Sequence, residues 1–290
     1  MTNVLVLGAD GMLGSMVARV LSSNPALNVA RSTRTGAQQD LTFDATRDPV
    51  GDLLAATRCD WIINAIAILD RGIDDGDPNS VAAAIDVNAS FPNRLAAAAG
   101  RDRRVVHIST DGVFSGQDAP YDESAPHDAA GLYARSKSLG EPRFPNCVTL
   151  RCSVIGPEKS PPKSLLSTVL SQPPGSVVTG YTNHYWNGVT TLHLAKLCEA
   201  LIQSDHCHHP SVLHVVPGDV VSKAELIGLC FESFERSDLT LMAQPAVVPV
   251  DRTLRTEHPE INQRLWTRAG YAAPPTIGEM VKELAATCGR

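Results

Sequence analysis

The sequence predicts an α/β fold, a doubly wound parallel sheet with a smaller C-terminal lobe, on three observations. Short unbroken apolar runs alternate with helix-like segments through the first two-thirds of the chain, the first run leads into a glycine-rich turn, and prolines break the alternation after about residue 155. The runs are Val4–Leu7, a weaker Leu27–Arg31, Trp61–Ala65, Val105–Ile108 and Val148–Arg151. Strands buried on both faces read as continuous apolar stretches rather than as alternation, which is the pattern of a parallel sheet covered by helices on each side. The covering helices are expected at Met12–Ser22, Val50–Ala56, Val81–Gly100 and Tyr133–Glu141. In such a sheet, ligands bind at the carboxyl ends of the strands.

Beyond residue 155, Pro157, Pro161, Pro162, Pro173 and Pro174 interrupt the chain. A polar aromatic stretch, Thr182–Trp186, then precedes a helix at Thr191–Leu201, a strand at Val212–Val216 and helices at Lys223–Phe231 and Thr276–Ala286. The expected division is a dinucleotide-binding domain over 1–155 and a smaller substrate-binding lobe over 156–290, interleaved with pieces that return to the main sheet.

Composition narrows the function. A chain of 290 residues can bury a substantial core, and its net charge of −6 offers no basic footprint for nucleic acid or an anionic membrane. Its seven cysteines are scattered without a CxxC pair, as in a protein with reduced thiols, and no stretch reaches the length of a membrane span. With no basic, cleavable leader before the first strand, the expectation is a cytoplasmic protein without nucleic-acid or membrane partners; a homodimer is left open.

Met1–Leu7 followed by Gly8-Ala9-Asp10-Gly11-Met12-Leu13-Gly14 reads as strand, tight turn and helix, the Rossmann arrangement. Glycines at 8, 11 and 14 let the backbone, with the N–H groups of Met12 and Leu13, approach a pyrophosphate that side chains would block. The end of the second strand separates NAD from NADP, because a carboxylate there binds a ribose hydroxyl whereas arginine suits a 2′-phosphate. Here it reads Arg31-Ser32-Thr33-Arg34, with no carboxylate until Asp40, so NADP(H) is the expected cofactor. A solvated basic loop is the competing reading.

Tyr133 and Lys137 stand four apart on one helix face, and a nearby ammonium, together with the positive charge of the oxidised cofactor, favours tyrosinate, lowering the phenol pKa. Tyr133 is then a proton donor to a carbonyl oxygen, and Lys137 also suits the nicotinamide ribose. YxxxK alone recurs by chance. Its weight comes from Ser109-Thr110-Asp111-Gly112-Val113-Phe114 directly after the Val105–Ile108 run, where a hydroxyl can orient a substrate carbonyl toward the tyrosine.

In this order and spacing, these motifs resemble the extended short-chain dehydrogenase/reductase superfamily, and within it the dTDP-4-dehydrorhamnose reductase family of nucleotide-sugar reductases. The resemblance rests on Ser109–Gly116, Pro120-Tyr121-Asp122-Glu123, Tyr133–Glu141 and Leu150-Arg151-Cys152-Ser153, and more loosely on Asp251-Arg252-Thr253-Leu254 and the terminal helix. It implies Thr110, Tyr133 and Lys137 as the catalytic set, Asp44 and Ala45 by the adenine, Ala65, Ile66 and Ala67 under the ribose and diphosphate, and Cys152 and Ser153 near the nicotinamide. Two departures stand out: Gly112 replaces a common aromatic, and Asn183–Thr191 has unusual wording where the family carries a sugar-contacting turn. Trp186 and Asn187 are the residues there suited to stacking on and hydrogen-bonding the substrate, with Thr110 and Asp111 opposite; packing is the rival role for the aromatics.

The reading that follows is NADPH-dependent reduction of a keto group, at C4, on a nucleotide-linked deoxysugar. Its alternatives are a nucleotide-sugar epimerase or dehydratase, which uses the same tyrosine–lysine pair, and a non-catalytic NADP-binding regulatory subunit of the same fold. No metal site is expected. His206-Cys207-His208-His209 are adjacent residues that rarely converge on one ion, and Asp74-Asp75-Gly76-Asp77 lacks the acidic twelfth position of a calcium loop.

Overall fold

A computed structural model describes residues 1–36, 40–158, 164–204 and 209–288. Its strands are β1 (Thr2–Leu7), β2 (Leu27–Thr33), β3 (Leu41–Thr42), β4 (Trp61–Asn64), β5 (Arg104–Ile108), β6 (Cys147–Arg151), β7 (Val154–Ile155), β8 (Val177–Tyr181), β9 (His184–Trp186), β10 (Val189–Thr190), β11 (Val212–His214), β12 (Val221–Ser222), β13 (Thr240–Gln244) and β14 (Val250–Asp251). The helices are α1 (Met12–Ser22), α2 (Val50–Thr57), α3 (Pro78–Ile85), α4 (Phe91–Ala99), α5 (Leu132–Leu139), α6 (Leu165–Leu170), α7 (Thr191–Gln203), α8 (Lys223–Ser233), α9 (Pro259–Arg268) and α10 (Ile277–Cys288).

Seven strands form one parallel sheet in the order β11-β6-β5-β4-β1-β2-β3, the doubly wound α/β arrangement that the apolar runs predict. The order reverses at β1, so the crevice beyond its carboxyl end is the ligand position of such a sheet. The central strands feed two cores. Val4, Val6, Ile63, Val106 and Leu150 face α1, α7 and α10, while Leu5, Leu7, Ile62 and Val105 face α2 and α4. That double burial explains why the strands carry no polar alternation.

The expected helix over Val81–Gly100 begins earlier, at Pro78, and is divided. A π-helical turn at Asp86–Ser90 separates α3 from α4, and the Asp77 carboxylate caps α3 by accepting from the N–H of Asn79 at 3.0 Å. β2 runs two residues past the expected Arg31, and the strand at Val212–Val216 closes at His214.

After residue 155 the chain does two things. α7 packs on α1 and β11 joins the main sheet beside β6. The remainder builds small sheets over the carboxyl ends of the strands, including a three-stranded one in the order β12-β9-β14. The polar stretch Thr182–Trp186 supplies β9, the middle strand of that sheet.

Candidate active site

Two cavities meet above the carboxyl ends of β1, β4 and β5. One, of about 460 Å³, runs along the glycine turn and is lined by Gly11, Met12, Leu13, Ala65, Ile66, Ala67, Lys137, Cys152 and Ser153. The other, of about 760 Å³, opens toward the small sheet and is lined by Asp70, Ser115, Gln117, Tyr185 and Arg252 among others. Thr110, Asp111, Tyr133, Ser153, Trp186 and Lys223 line both.

The first cavity fits a dinucleotide. Gly8 has φ +74°, which turns the chain, and a Cβ on Gly14 would stand 2.1 Å from the Gly8 carbonyl oxygen, so only glycine lets α1 start this close to β1. The first turn of α1 has neither a side-chain cap nor an acidic residue, which leaves its N–H groups free for an anion. Ser32 is fully buried at the end of β2, and its Oγ has no hydrogen-bond partner among the described residues.

The four residues read as a 2′-phosphate site separate. Arg31, still within β2, forms an ion pair with Asp40 at 3.1 Å and borders a different cavity, at the β2–β3 edge of the sheet beside Ala56 and Thr57. Thr33 Oγ1 accepts the N–H of Gly36 at 3.0 Å. Arg34, past the strand end, is exposed. Its charge helps to hold the Asp44 carboxyl below its usual range, where hydrogen bonds from Thr46 are the main cause. Ala45 is buried, and its carbonyl accepts from Arg94 at 2.6 Å.

At the junction, Thr110 follows β5 and caps a single 3₁₀ turn, its Oγ1 accepting the N–H of Gly112 at 3.0 Å and lying 3.3 Å from Asp111 Oδ1. Tyr133 projects from α5. Burial pushes its phenol up to about 12; the charges of Asp111, Asp70 and Cys152 push the same way, and a hydrogen bond with Thr110 opposes them. The Lys137 ammonium donates to the Ile108 carbonyl at 2.8 Å, and burial lowers its pKa to about 8. Gly112 lies against the same pair, since a Cβ there would sit 3.1 Å from Thr110 Oγ1 and 3.4 Å from Tyr133 Cε1.

Trp186 and Asn187 part company because successive residues of an extended chain face opposite ways. Trp186 turns into the cavities. Its indole Nε1 is buried without a partner among the described residues, and one face of its ring is covered by the Lys223 ammonium, 5.2 Å from the centroid. Asn187 turns away, and both ends of its amide hold the backbone of Leu254, at 2.7 and 2.9 Å. The structure therefore does not bring Asn187 to the substrate cavity; it clamps the following segment.

Sequence reasoning missed Lys223, Arg252 and Asn88. Val221 pairs with Trp186 across β12 and β9, and Asp251 pairs with Tyr185 across β14 and β9, so Lys223 and Arg252 emerge on either side of Trp186. Asn88, in the π-helical turn, exchanges two 2.8 Å hydrogen bonds with the backbone of Ile68 and donates to Ser136 Oγ at 3.2 Å. It thereby fixes both the Ala65–Ala67 floor and the tyrosine helix. A polar residue on the buried face of an alanine-rich helix was the available signal for it.

Below the site lies a buried network. Glu141 receives Arg151 through two bonds, at 3.0 and 2.7 Å, and the Ser109 hydroxyl at 2.6 Å; Arg151 reaches His214 at 2.8 Å. Burial alone would raise the Glu141 pKa, but Arg151, Ser109 and His127 outweigh it and hold the carboxyl ionised. The Tyr121 phenol oxygen accepts the N–H groups of Gly116, Gln117 and Asp118, each at 3.0 Å, which sets the loop carrying Ser115 and Gln117.

Among the described residues no group of three or more His, Cys, Asp or Glu is placed to hold a metal ion, and no helix is long and apolar enough to cross a membrane. His206, Cys207 and His208 lie outside the described residues. His209 contacts Ser204 at 3.1 Å, and the acidic run at 74–77 forms turn and cap bonds.

Fold and constellation together are those of the extended short-chain dehydrogenase/reductase class. Within it, the chain belongs to the RmlD substrate binding domain family, whose profile matches residues 1–289. A dTDP-4-dehydrorhamnose reductase of Mycobacterium tuberculosis is 33% identical over 169 residues, covering 52% of this chain and 50% of the relative. The chain thus spans about half the length of the curated relatives it matches. Among solved structures, the dTDP-4-dehydrorhamnose reductase of Bacillus anthracis in complex with NADP superposes with a TM-score of 0.78 at 18% identity over 99% of both chains. The UDP-glucuronic acid 4-epimerase of Bacillus cereus gives 0.73 at 16% identity, over 99% of this chain and 100% of that one. Likeness at those identities is one of fold, and it is shared by enzymes of different reactions.

Proposed function

We propose that the protein reduces the C4 keto group of a nucleotide-linked deoxysugar with NADPH, Tyr133 donating the proton. The observation that carries this reading is the junction of the two cavities, where the Thr110 hydroxyl, a protonated phenol and the Trp186 side chain come together between the glycine cradle and the open pocket. The family and the names of the relatives matched over about half their length support it.

Bound NADPH supplies the hydride. The N–H groups at the start of α1, above Gly8, Gly11 and Gly14, would hold its pyrophosphate, and Ser32, Thr33 and Arg34 at the end of β2 would serve the 2′-phosphate. Ala65–Ala67 and Cys152-Ser153 wall the cleft. Thr110 Oγ1 hydrogen-bonds the substrate carbonyl and orients it to the phenol, which its raised pKa keeps protonated at neutral pH. Lys137, anchored on Ile108, suits the nicotinamide ribose.

The test is to mix the purified protein with NADPH and a dTDP-linked 4-keto-6-deoxyhexose and to follow NADPH consumption and the reduced sugar. Tyr133→Phe should lower kcat about 10²–10⁴-fold with NADPH affinity intact. Full turnover by that variant would remove the mechanism, and NADPH binding without turnover on any ketosugar nucleotide would favour the regulatory alternative.

A further inference from the structure

Lys223 and Asp111 are the two charged residues lining both cavities that the mechanism above leaves without a role. They come from distant parts of the chain. Asp111 follows the catalytic Thr110 in its 3₁₀ turn, and Lys223 is the first residue of α8, set in place by a capping box in which Ser222 Oγ accepts the Glu225 N–H at 3.1 Å and Glu225 accepts the Ser222 N–H at 2.6 Å. Each feels the charge of the other: burial raises the Asp111 pKa while Lys223 lowers it, and burial lowers the Lys223 pKa to about 8 while Asp111 raises it. Yet they do not close into an ion pair. Among the described residues Lys223 donates no hydrogen bond, its ammonium resting over the Trp186 ring, and Asp111 contacts only the neighbouring Thr110 hydroxyl and the backbone of its own turn.

A carboxylate and an ammonium that line the same cavities without forming an ion pair can together receive a group that donates to one and accepts from the other. An alcohol does both. Arg252 also lines the open cavity and its charge acts on both groups, so an ammonium on the ligand would be repelled by Lys223 and Arg252 together. We infer that Lys223 and Asp111 together read a hydroxyl on the substrate carbon next to the reacting carbonyl, making Lys223 a specificity-determining residue for α-hydroxy ketone sugars. The placement fits, because Asp111 Oδ1 lies 3.3 Å from the Thr110 hydroxyl that orients the carbonyl, within reach of a group on the neighbouring carbon.

This inference rests on the reductase reading, and the experiment separates the two. Wild type, Lys223→Met and Lys223→Gln are compared with NADPH and two substrates, a dTDP-linked 4-keto-6-deoxyhexose and its 3-deoxy counterpart. Wild type is expected to prefer the 3-hydroxy substrate in kcat/KM by about 100-fold, the cost of leaving a buried charged pair without its partner. Both variants should shrink that ratio to below about 10, chiefly by losing activity on the 3-hydroxy substrate while the 3-deoxy rate stays within a few-fold. A ratio unchanged in either folded variant, or an equal loss on both substrates, would overturn the assignment and leave Lys223 a packing residue. Absence of turnover on both substrates by wild type would instead remove the reductase reading, and the hydroxyl reader with it.

Discussion

Tyr133 and the two lysines around it set how the site should respond to pH. Burial brings Lys137 and Lys223 each to a pKa of about 8, so both ammonium groups are lost early as pH rises, while the phenol, at about 12, keeps its proton throughout. Because kcat/KM reports groups of the free enzyme, it should fall as pH rises through about 8, and a profile flat to about pH 9.5 would contradict this assignment. Arg31 and Arg34 differ as sharply, although they stand three apart. Arg31 is held by Asp40, whereas Arg34 is exposed beyond the strand, so Arg34→Ala should raise the KM for NADPH about tenfold with little effect on NADH. Arg31→Ala should change the NADPH to NADH ratio much less. Steady-state kinetics with each cofactor distinguish the two.

Among the elements, the motif segments that signal the family are joined by one buried contact set. Ser109 just after β5, Glu141 after α5 and Arg151 at the end of β6 form the network beneath the site, tying three separate motif segments to one another. Arg151→Met should cost about 3–5 kcal/mol, since it leaves Glu141 buried and charged, and the double variant Glu141→Leu/Arg151→Met should recover part of that loss in denaturant unfolding. Apart from the two-residue β3, the main sheet was legible in the sequence because its strands are apolar runs, and the glycine turn because glycine alone satisfies its geometry. The small sheet β12-β9-β14 was not, since its strands are two or three residues long and carry polar side chains. Lys223 and Arg252 were therefore invisible as site residues: what places them is pairing across β9. The same limit explains Asn187, where neighbouring positions read as one binding turn but pleat to opposite sides.

For the whole molecule, buried histidines predict acid sensitivity. His193 and His214 are each lowered to about 4, chiefly by burial, against about 6.5 in an unfolded chain. Between those values the unfolded state binds more protons, so stability is lost as pH falls, on the order of 2–3 kcal/mol for each by pH 4. Thermal unfolding at about pH 5 should come roughly 5–15 °C below that at about pH 7, and an unchanged midpoint would show that neither histidine is held neutral in the fold.

The position of β11 at the end of the main sheet has a consequence for how the protein is made. The first 155 residues contain the glycine cradle and the catalytic helix, but β6 then presents a bare edge and α1 lacks the apolar cover of α7. A chain emerging from the ribosome in sequence order must keep that half-built sheet from pairing with other chains until Thr191–His214 arrives to close it. Release of a nascent chain halted near residue 155 should accordingly yield an aggregating polypeptide, and one halted well past β11 a soluble one.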